Sequence, residues 1–509
     1  MRLSMSSCPS HVGSQQNDDM NQSAWRLFRI MAFLALMLLS VVPVTSADTL
    51  TLADCIQLAL KENRTIKNAY LDRVVQKYDL RMAEDKFVPT LNLAPSINSS
   101  GTTKTLGGGL NTTTTSDTLK PGAVATLTEN LPVGGTLSIG SNYTITSTDQ
   151  AVPARDYGWN INLTLPLLKN AGFDVNLESV RAAREAEQRN ILSLKSTMID
   201  TLTSVITAYR SYAQAIQSLE NNRQSLQRSK ELLETNRELI AAGRMAAIEI
   251  IQSEADLARQ EYDLLAAENS LDKTRLNLTK AIDVDKNRRI RPVQESAIPL
   301  LPYTLEQALQ LAFENRPDYQ QLLLEYARAR RAVAIAKRNK LWDLSLTGTY
   351  GETYSRTTSA TPVNSGGTWA AGLTLTIPLD NLYRSSVDRQ TYLAADIGLK
   401  KFENDLAKRR EEIEIEIQDA LRSAEMSNRQ IKLATLSRTL SEKKVEVETE
   451  KLKAGKSTNF QLVSFQNDLK QAQQRELDAI TDYLNALTNL DKTLGVTLDR
   501  LGVALVERN

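Results

Sequence analysis

The chain is built twice. Thr51-Leu52 through Gln57-Leu58-Ala59-Leu60 returns as Thr304-Leu305 through Gln310-Leu311-Ala312-Phe313, an offset of 253 residues. Further landmarks return at a shorter offset of 212: Leu165-Pro166-Leu167 as Ile377-Pro378-Leu379, Gly243 as Gly455, and Asp256-Leu257 as Asp468-Leu469. A fold that repeats one order of elements is confined to pseudo-symmetric architectures. The offsets differ by 41 residues, so the first copy carries a surplus of that length between Pro89 and Pro166.

Each copy reads as a helix, a run of Gly/Thr/Ser-rich strands, a very long helix, a break at Gly243 or Gly455, and a returning helix. In the first copy Ile191, Leu194, Met198, Val205, Tyr209, Tyr212, Ile216, Leu219, Leu226, Leu233 and Ile240 keep the spacing of a coiled-coil seam. One continuous helix from Asp174 to Ile240 would run about 100 Å, far beyond a compact domain. The low aromatic content of 5% and only 14 prolines suit such an elongated helical body.

The strands alternate in kind. Trp159, Ile161, Leu163 and Leu165 face away from Asn160, Asn162 and Thr164, and Trp369, Ala371, Leu373, Leu375 and Ile377 repeat the pattern. Trp342, Leu344 and Leu346 do so again, and Leu91, Leu93 and Ile97 more weakly. Trp159, Trp342 and Trp369 are therefore candidates for a lipid boundary. A soluble sandwich also alternates, but four to six strands close poorly into a barrel by themselves. An open sheet edge in hydrocarbon leaves N–H and C=O groups unsatisfied. In a membrane several chains must therefore share one ring, a trimer giving 12 strands from four per chain or 18 from six. The surplus reads as an added hairpin over about 121–148, its strands meeting at Pro132-Val133-Gly134-Gly135; whether it joins the wall or folds outside it is open.

Arg26 and Arg29 precede the apolar run Ile30 to Val42, and Thr45-Ser46-Ala47 offers a cleavage site, so residues 1–47 read as an export signal with Met1 or Met20 as its start. The alternative is a membrane anchor. Cleavage removes Cys8 and His11, leaving Cys55 as the sole thiol and no histidine. Asp54 before Cys55 does not suit a lipoprotein site, and the surrounding apolar pattern marks a buried small hydrophobe. Without imidazole, His-based triads, histidine general bases and most protein zinc sites are excluded. No catalytic, cofactor or metal residue is assigned. Carboxylate pairs such as Glu411-Glu412 read as solvated helix faces. The 61 basic and 60 acidic side chains cancel, which argues against nucleic acid as a partner. Ala454-Gly455-Lys456-Ser457-Thr458 imitates the end of a phosphate-binding loop, but Glu450 stands where its first glycine belongs and a helix precedes it.

These features together resemble the TolC-like outer-membrane efflux protein family over essentially the whole mature chain. The residues that carry the resemblance are Thr51-Leu52 to Leu60, Thr304-Leu305 to Pro317-Asp318, the Pro-Leu corners at 166 and 378, Leu168-Lys169-Asn170-Ala171-Gly172-Phe173-Asp174-Val175-Asn176, and the glycines 243 and 455. The fold it implies is mainly α with membrane β: a trimeric outer-membrane β-barrel continued by a long periplasmic α-helical coiled-coil barrel, two structural repeats per chain. Residues 48–300 would form the first repeat, with strands over 87–168 and a coiled-coil hairpin over 173–284. Residues 301–509 would form the second, with strands over 341–379 and a hairpin over 383–495; an equatorial region would take 285–320 and both chain ends.

The function it implies is a passive exit duct of a tripartite efflux pump or a type I secretion system. Its partners would be itself as a homotrimer, a periplasmic adaptor, an inner-membrane transporter and outer-membrane lipid. Gly243-Arg244 and Gly455-Lys456 match the turns implicated in adaptor docking, and a glycine there also simply ends a helix. In TolC two acidic residues after the second turn ring the entrance; Gln461 and Ser464 stand there in this chain, with Glu249 and Gln252 at the equivalent first-copy places. The expectation is a mainly polar, less cation-selective constriction. Drug, metal, metabolite and protein export are not separated. The contrasting reading is a periplasmic coiled-coil scaffold with ordinary β-domains.

Overall fold

The computed structural model describes residues 48–106, 112–149, 151–286, 288, 290–293, 295, 298–357, 363–377, 379 and 387–504. The leader read at 1–47 and the corner residue Pro378 lie outside the described residues.

The duplicated Thr-Leu motif is a helix start. Thr51 accepts from the amide of Asp54 at 3.2 Å while its own amide donates to the Asp54 carboxylate at 2.9 Å, a capping box that opens α1 (Leu52–Glu62). Thr304 and Gln307 build the same box at the head of α5 (Leu305–Asn315). The second helix of each pair, α2 (Arg64–Glu84) and α6 (Pro317–Asn339), begins on an Asn63 cap in one copy and on a proline in the first turn in the other.

Two helical hairpins form the long body. α3 (Glu178–Ala241) returns as α4 (Glu249–Ile282), and α7 (Val387–Lys453) returns as α8 (Asn459–Leu494). The 64 residues of α3 span about 96 Å. The helix does not begin at Asp174 as the periodicity suggests. A separate turn at Phe173–Asn176 ends at Leu177, because the Leu168–Asn176 corner bends through positive φ at Asn170 and Gly172.

Each copy has its own apolar core at the root of its hairpin. Cys55, Ile56, Ala59 and Ile66 pack with Leu194, Met198, Leu202 and Tyr209 of α3 and with Leu278 and Ile282 of α4. Ala308, Ala312 and Tyr319 pack with Ile413, Ile417, Leu490 and Leu494. A short parallel pair, β1 (Asp48–Leu50) with β6 (Ile290–Pro292), ties the start of the described chain to the link between copies. The Tyr209 hydroxyl reaches the carbonyls of Leu50 at 3.1 Å and Val293 at 2.6 Å. Arg210 crosses to the second copy, donating to the Leu484 carbonyl and the Thr488 hydroxyl at 2.6 Å each.

The remaining strands form one antiparallel sheet in the order β2 (Thr90–Leu106), β3 (Thr112–Asn130), β4 (Thr136–Thr148), β5 (Ala151–Pro166), β7 (Asp343–Arg356) and β8 (Asn364–Thr376). The surplus of the first copy is the β3–β4 hairpin. It is seated between β2 and β5 as part of the sheet, and it starts at Thr112, earlier than the alternation suggests. Its turn uses positive φ at Gly134 and Gly135.

Candidate functional site

Residues opposite one another in register share a face of a sheet, so the pairing sorts the strands into two continuous surfaces. On one lie Leu93 against Ala125, Leu127 against Ile139, Ile139 against Ile161, Ile161 against Tyr350, and Tyr350 against Trp369. This face is apolar across all six strands. Toward the end remote from the helices it carries aromatic rings: Trp159 lies 5.4 Å from Tyr350, and Tyr157 stacks on Tyr354 at 5.2 Å. Trp342, 54% exposed, sits at the helical end just before β7. From Trp342 to Tyr350 is about 26 Å along the strand, or about 20 Å of height at the tilt usual in barrels, close to the apolar band between aromatic girdles of outer-membrane barrels.

The other face is polar. Asn142, Asn160 and Asn162 lie on it, with Gly140, Gly158 and Gly351 among them. A Cβ on Gly140 would stand 2.5 Å from the Asn160 side chain, on Gly158 2.6 Å from the Glu352 carbonyl, and on Gly351 2.9 Å from the Trp159 carbonyl. Glycine is what lets the neighbouring strands approach this closely. β2 and β8 each have a neighbour on one side only, so the sheet ends in two unpaired edges. Among the described residues no helix is long and apolar enough to cross a membrane.

At the opposite end of the molecule, both hairpins turn in the same way. Gly243 has φ 70° and Gly455 φ 71°. Gly243 N–H donates to the Ile240 carbonyl and Arg244 N–H to that of Leu239, and Gly455 and Lys456 do the same to Leu452 and Lys451. This is the Schellman closure, which satisfies the last carbonyls of each long helix. The Arg244 guanidinium also donates to the Lys453 carbonyl at 3.3 Å, tying the two turns together. Lys456 is exposed in a shallow groove with Lys443, Val447 and Lys451. Gln461 and Ser464 are exposed on α8, and Glu249 and Gln252 are half-buried on α4. The four lie near the turns, on the two returning helices.

Sequence reasoning missed how the hairpins are joined there. Asn236, wholly buried, donates to Ser253 at 2.7 Å and to Asn459 at 2.8 Å, while Asn459 donates to Ser253 at 3.0 Å and to the Glu249 carbonyl at 3.3 Å. Further along, Gln260 donates to Asn467 at 3.3 Å and Lys470 to Asp263 at 2.6 Å between the hairpins, while Ser229 donates to Asp256 at 2.5 Å within the first. These polar bonds lie beside an apolar cluster that also joins the hairpins near the turns, Leu232 of α3 with Val445 and Leu452 of α7 and Leu462, Val463 and Leu469 of α8.

Among the described residues an apolar stripe on α7 stays uncovered. Met426, Leu433, Leu440 and Val447 follow α7 at seven-residue spacing with Leu436 between, all at least half exposed. Such a stripe is a coiled-coil seam without its second helix. Ile251, Tyr262 and Leu265 on α4 are exposed as well.

The sequence model of the family described as Outer membrane efflux protein matches residues 55–283 and 308–496. Among solved structures, the chain is similar to the Campylobacter jejuni CmeC outer membrane channel, with 15% identity and a TM-score of 0.63 over 88% of this chain and 86% of that one. It is similar to the outer membrane protein VceC of Vibrio cholerae, with 16% identity and a TM-score of 0.64 over 87% and 96%. It is also similar to the open state of the Neisseria gonorrhoeae MtrE outer membrane channel, with 17% identity and a TM-score of 0.58 over 88% and 89%. No curated protein sequence matches the chain.

Proposed function

The chain belongs to the outer membrane efflux protein family, and from that premise we propose that three copies close into one duct from the cell surface to the periplasm. The observation that carries this reading is the six-stranded sheet, apolar on one face and polar on the other, with an unpaired edge at each end among the described residues. In hydrocarbon those edges have to be satisfied, and β8 of one copy meeting β2 of the next does so. The wall then has 18 strands, six from each copy, because the β3–β4 hairpin is part of it. The exposed α7 stripe supports the same assembly, since a neighbouring copy's α4 supplies the missing seam.

Export depends on residues 1–47 as a cleaved leader, and the mature chain is organised as repeats 48–300 and 301–509 about an equatorial region near 285–320. A periplasmic adaptor docks at the turns around Gly243, Arg244, Gly455 and Lys456, and an inner-membrane transporter delivers the substrate. The duct does no chemistry: substrate moves down a water-filled bore, and energy enters at the inner membrane. At the periplasmic end Gln252, Gln461 and Ser464 make a mainly polar constriction, with Glu249 its only acid among the four. Trp159 and Trp369 on one side and Trp342 on the other bracket the lipid band. A soluble coiled-coil scaffold gives no reason for an apolar face that runs unbroken across six strands.

Membrane fractionation with unheated and heated gel mobility tests the reading. An outer-membrane species that migrates as a trimer until heated is expected. A soluble species with the same mobility in both samples would overturn it.

A further inference from the structure

Arg155 on β5 and Arg356 on β7 stand directly opposite each other in register. Both are exposed on the apolar face, one same-face position beyond the stacked Tyr157 and Tyr354 rings. Like charges set opposite on neighbouring strands, with Cβ atoms about 5 Å apart, repel. Among the described residues neither arginine pairs with a carboxylate. Asp156 lies on the other face, where the Ser355 hydroxyl binds it at 2.6 Å. Glu352, two same-face positions from Arg356, is taken up by the hydroxyls of Tyr350 and Tyr354.

The height of the pair says what would meet it. All connections to the helices leave the sheet at its other end, so this end is the outer one. The aromatic rows end just below the arginines, and beyond such a girdle the hydrocarbon gives way to lipid headgroups. A guanidinium presents a planar fork of donors that fits a phosphate, and two forks on adjacent strands can hold one phosphate between them.

We propose that Arg155 and Arg356 form a clamp on the outer wall of the duct for the phosphate of a phosphorylated lipid headgroup in the outer leaflet. The clamp rests on the reading that the apolar face meets lipid. It gives the like-charged pair a counter-ion and fixes the height of the wall in the bilayer.

The test uses the full chain purified in detergent, with a bisphosphorylated glucosamine-disaccharide lipid, its dephosphorylated counterpart and inorganic phosphate as probes, and bound lipid counted by native mass spectrometry. The wild-type protein is expected to retain the phosphorylated lipid preferentially, and R155Q/R356Q to weaken that retention at least about tenfold. R155K/R356K keeps the charge without the fork and is expected in between, which preserves a readout if the glutamine pair does not assemble. K104Q/K120Q, on the opposite face, is expected to bind as wild type. Equal retention by wild type and R155Q/R356Q, or an equal loss in K104Q/K120Q, would overturn the clamp. Displacement of the lipid by millimolar inorganic phosphate would overturn the headgroup assignment in favour of a free-anion site. Heat-modifiable gel mobility is read on every sample. A heat-modifiable membrane protein with unchanged lipid retention refutes only the clamp, whereas a wild-type chain that never behaves as a barrel refutes the lipid-facing reading itself.

Discussion

Asn459 is where the two helical hairpins are stitched together near the turns, and truncating it should open the periplasmic end. Its side chain donates to Ser253 at 3.0 Å and to the Glu249 carbonyl at 3.3 Å, and accepts from Asn236 at 2.8 Å. All three bonds run from α8 to the first hairpin. A buried hydrogen bond of this kind is worth about 1 kcal/mol net, so Asn459→Ala removes about 3 kcal/mol from any state in which the hairpins are in contact. Opening by splaying the hairpins breaks the same bonds in the wild-type protein, so the loss falls mainly on the closed state. An open-to-closed ratio raised about a hundredfold follows. Single-channel recording in planar bilayers reads this as longer open dwell, and cells carrying the variant should admit large antibiotics that the wild type excludes. Ser457→Ala is the control: its hydroxyl binds Glu448 at 2.5 Å within the second hairpin, so its loss should not raise the leak. A heat-modifiable Asn459→Ala trimer with wild-type conductance would refute the reasoning, as would an equal leak from Ser457→Ala.

Three further outcomes are expected. Gly135 has φ 88°, and a Cβ there would lie 1.9 Å from the Thr164 carbonyl, so Gly135→Val should abolish the heat-modifiable form, while Gly348→Ala, whose Cβ meets nothing within 4 Å, should leave it intact. Arg244→Glu with Lys456→Glu should weaken adaptor capture in a pull-down without disturbing trimer formation; undiminished capture would exclude these side chains from the docking surface. Burial, with the Asp54 charge beside it, pushes the Cys55 thiol up from 9.0 to about 11, and burial pushes the Tyr209 hydroxyl up from 10.0 to about 12. Both groups are raised, so the folded state keeps them neutral and their contribution is complete below the lower value and lost as pH climbs through the upper one. Melting temperature should therefore fall from about pH 9 upward, Cys55→Ala should blunt the first part of the fall between pH 9 and 11, and a maleimide should leave Cys55 unmodified at pH 8 until the protein is denatured.

Much of the architecture is local and therefore legible in sequence. Thr51 with Asp54 and Thr304 with Gln307 announce two helix starts because a capping box closes within four residues. Gly243 and Gly455 stand where each long helix reverses through a left-handed residue. The alternation of Trp159 to Leu165 and of Trp369 to Leu375 assigns faces because side chains in a strand repeat every two residues. The rest depends on contacts distant in the chain. Both strands of the 121–148 hairpin alternate, which says nothing of their neighbours; only the pairing of β3 with β2 and of β4 with β5 places them inside the sheet. The stitch at Asn236, Ser253 and Asn459 was hidden because polar residues in a charged helix read as solvated, and the periodicity that buries Ser229 and Asn236 runs beside that of Leu226 and Leu233. Arg244 looks free in the sequence, yet its guanidinium reaches a carbonyl 209 residues away.

Edge-to-edge closure is tested by paired cysteines in a Cys55→Ala background. One cysteine replaces Leu91, Leu93 or Ile97 on the apolar face of β2, the other Ala371, Leu373 or Leu375 on the same face of β8, and oxidised membranes are run on denaturing gels. If the sheets of three copies join into an 18-stranded wall, at least one pair gives a covalent ladder that stops at the trimer. Pairs that never cross-link in assembled protein, or a ladder that runs past three, would contradict it.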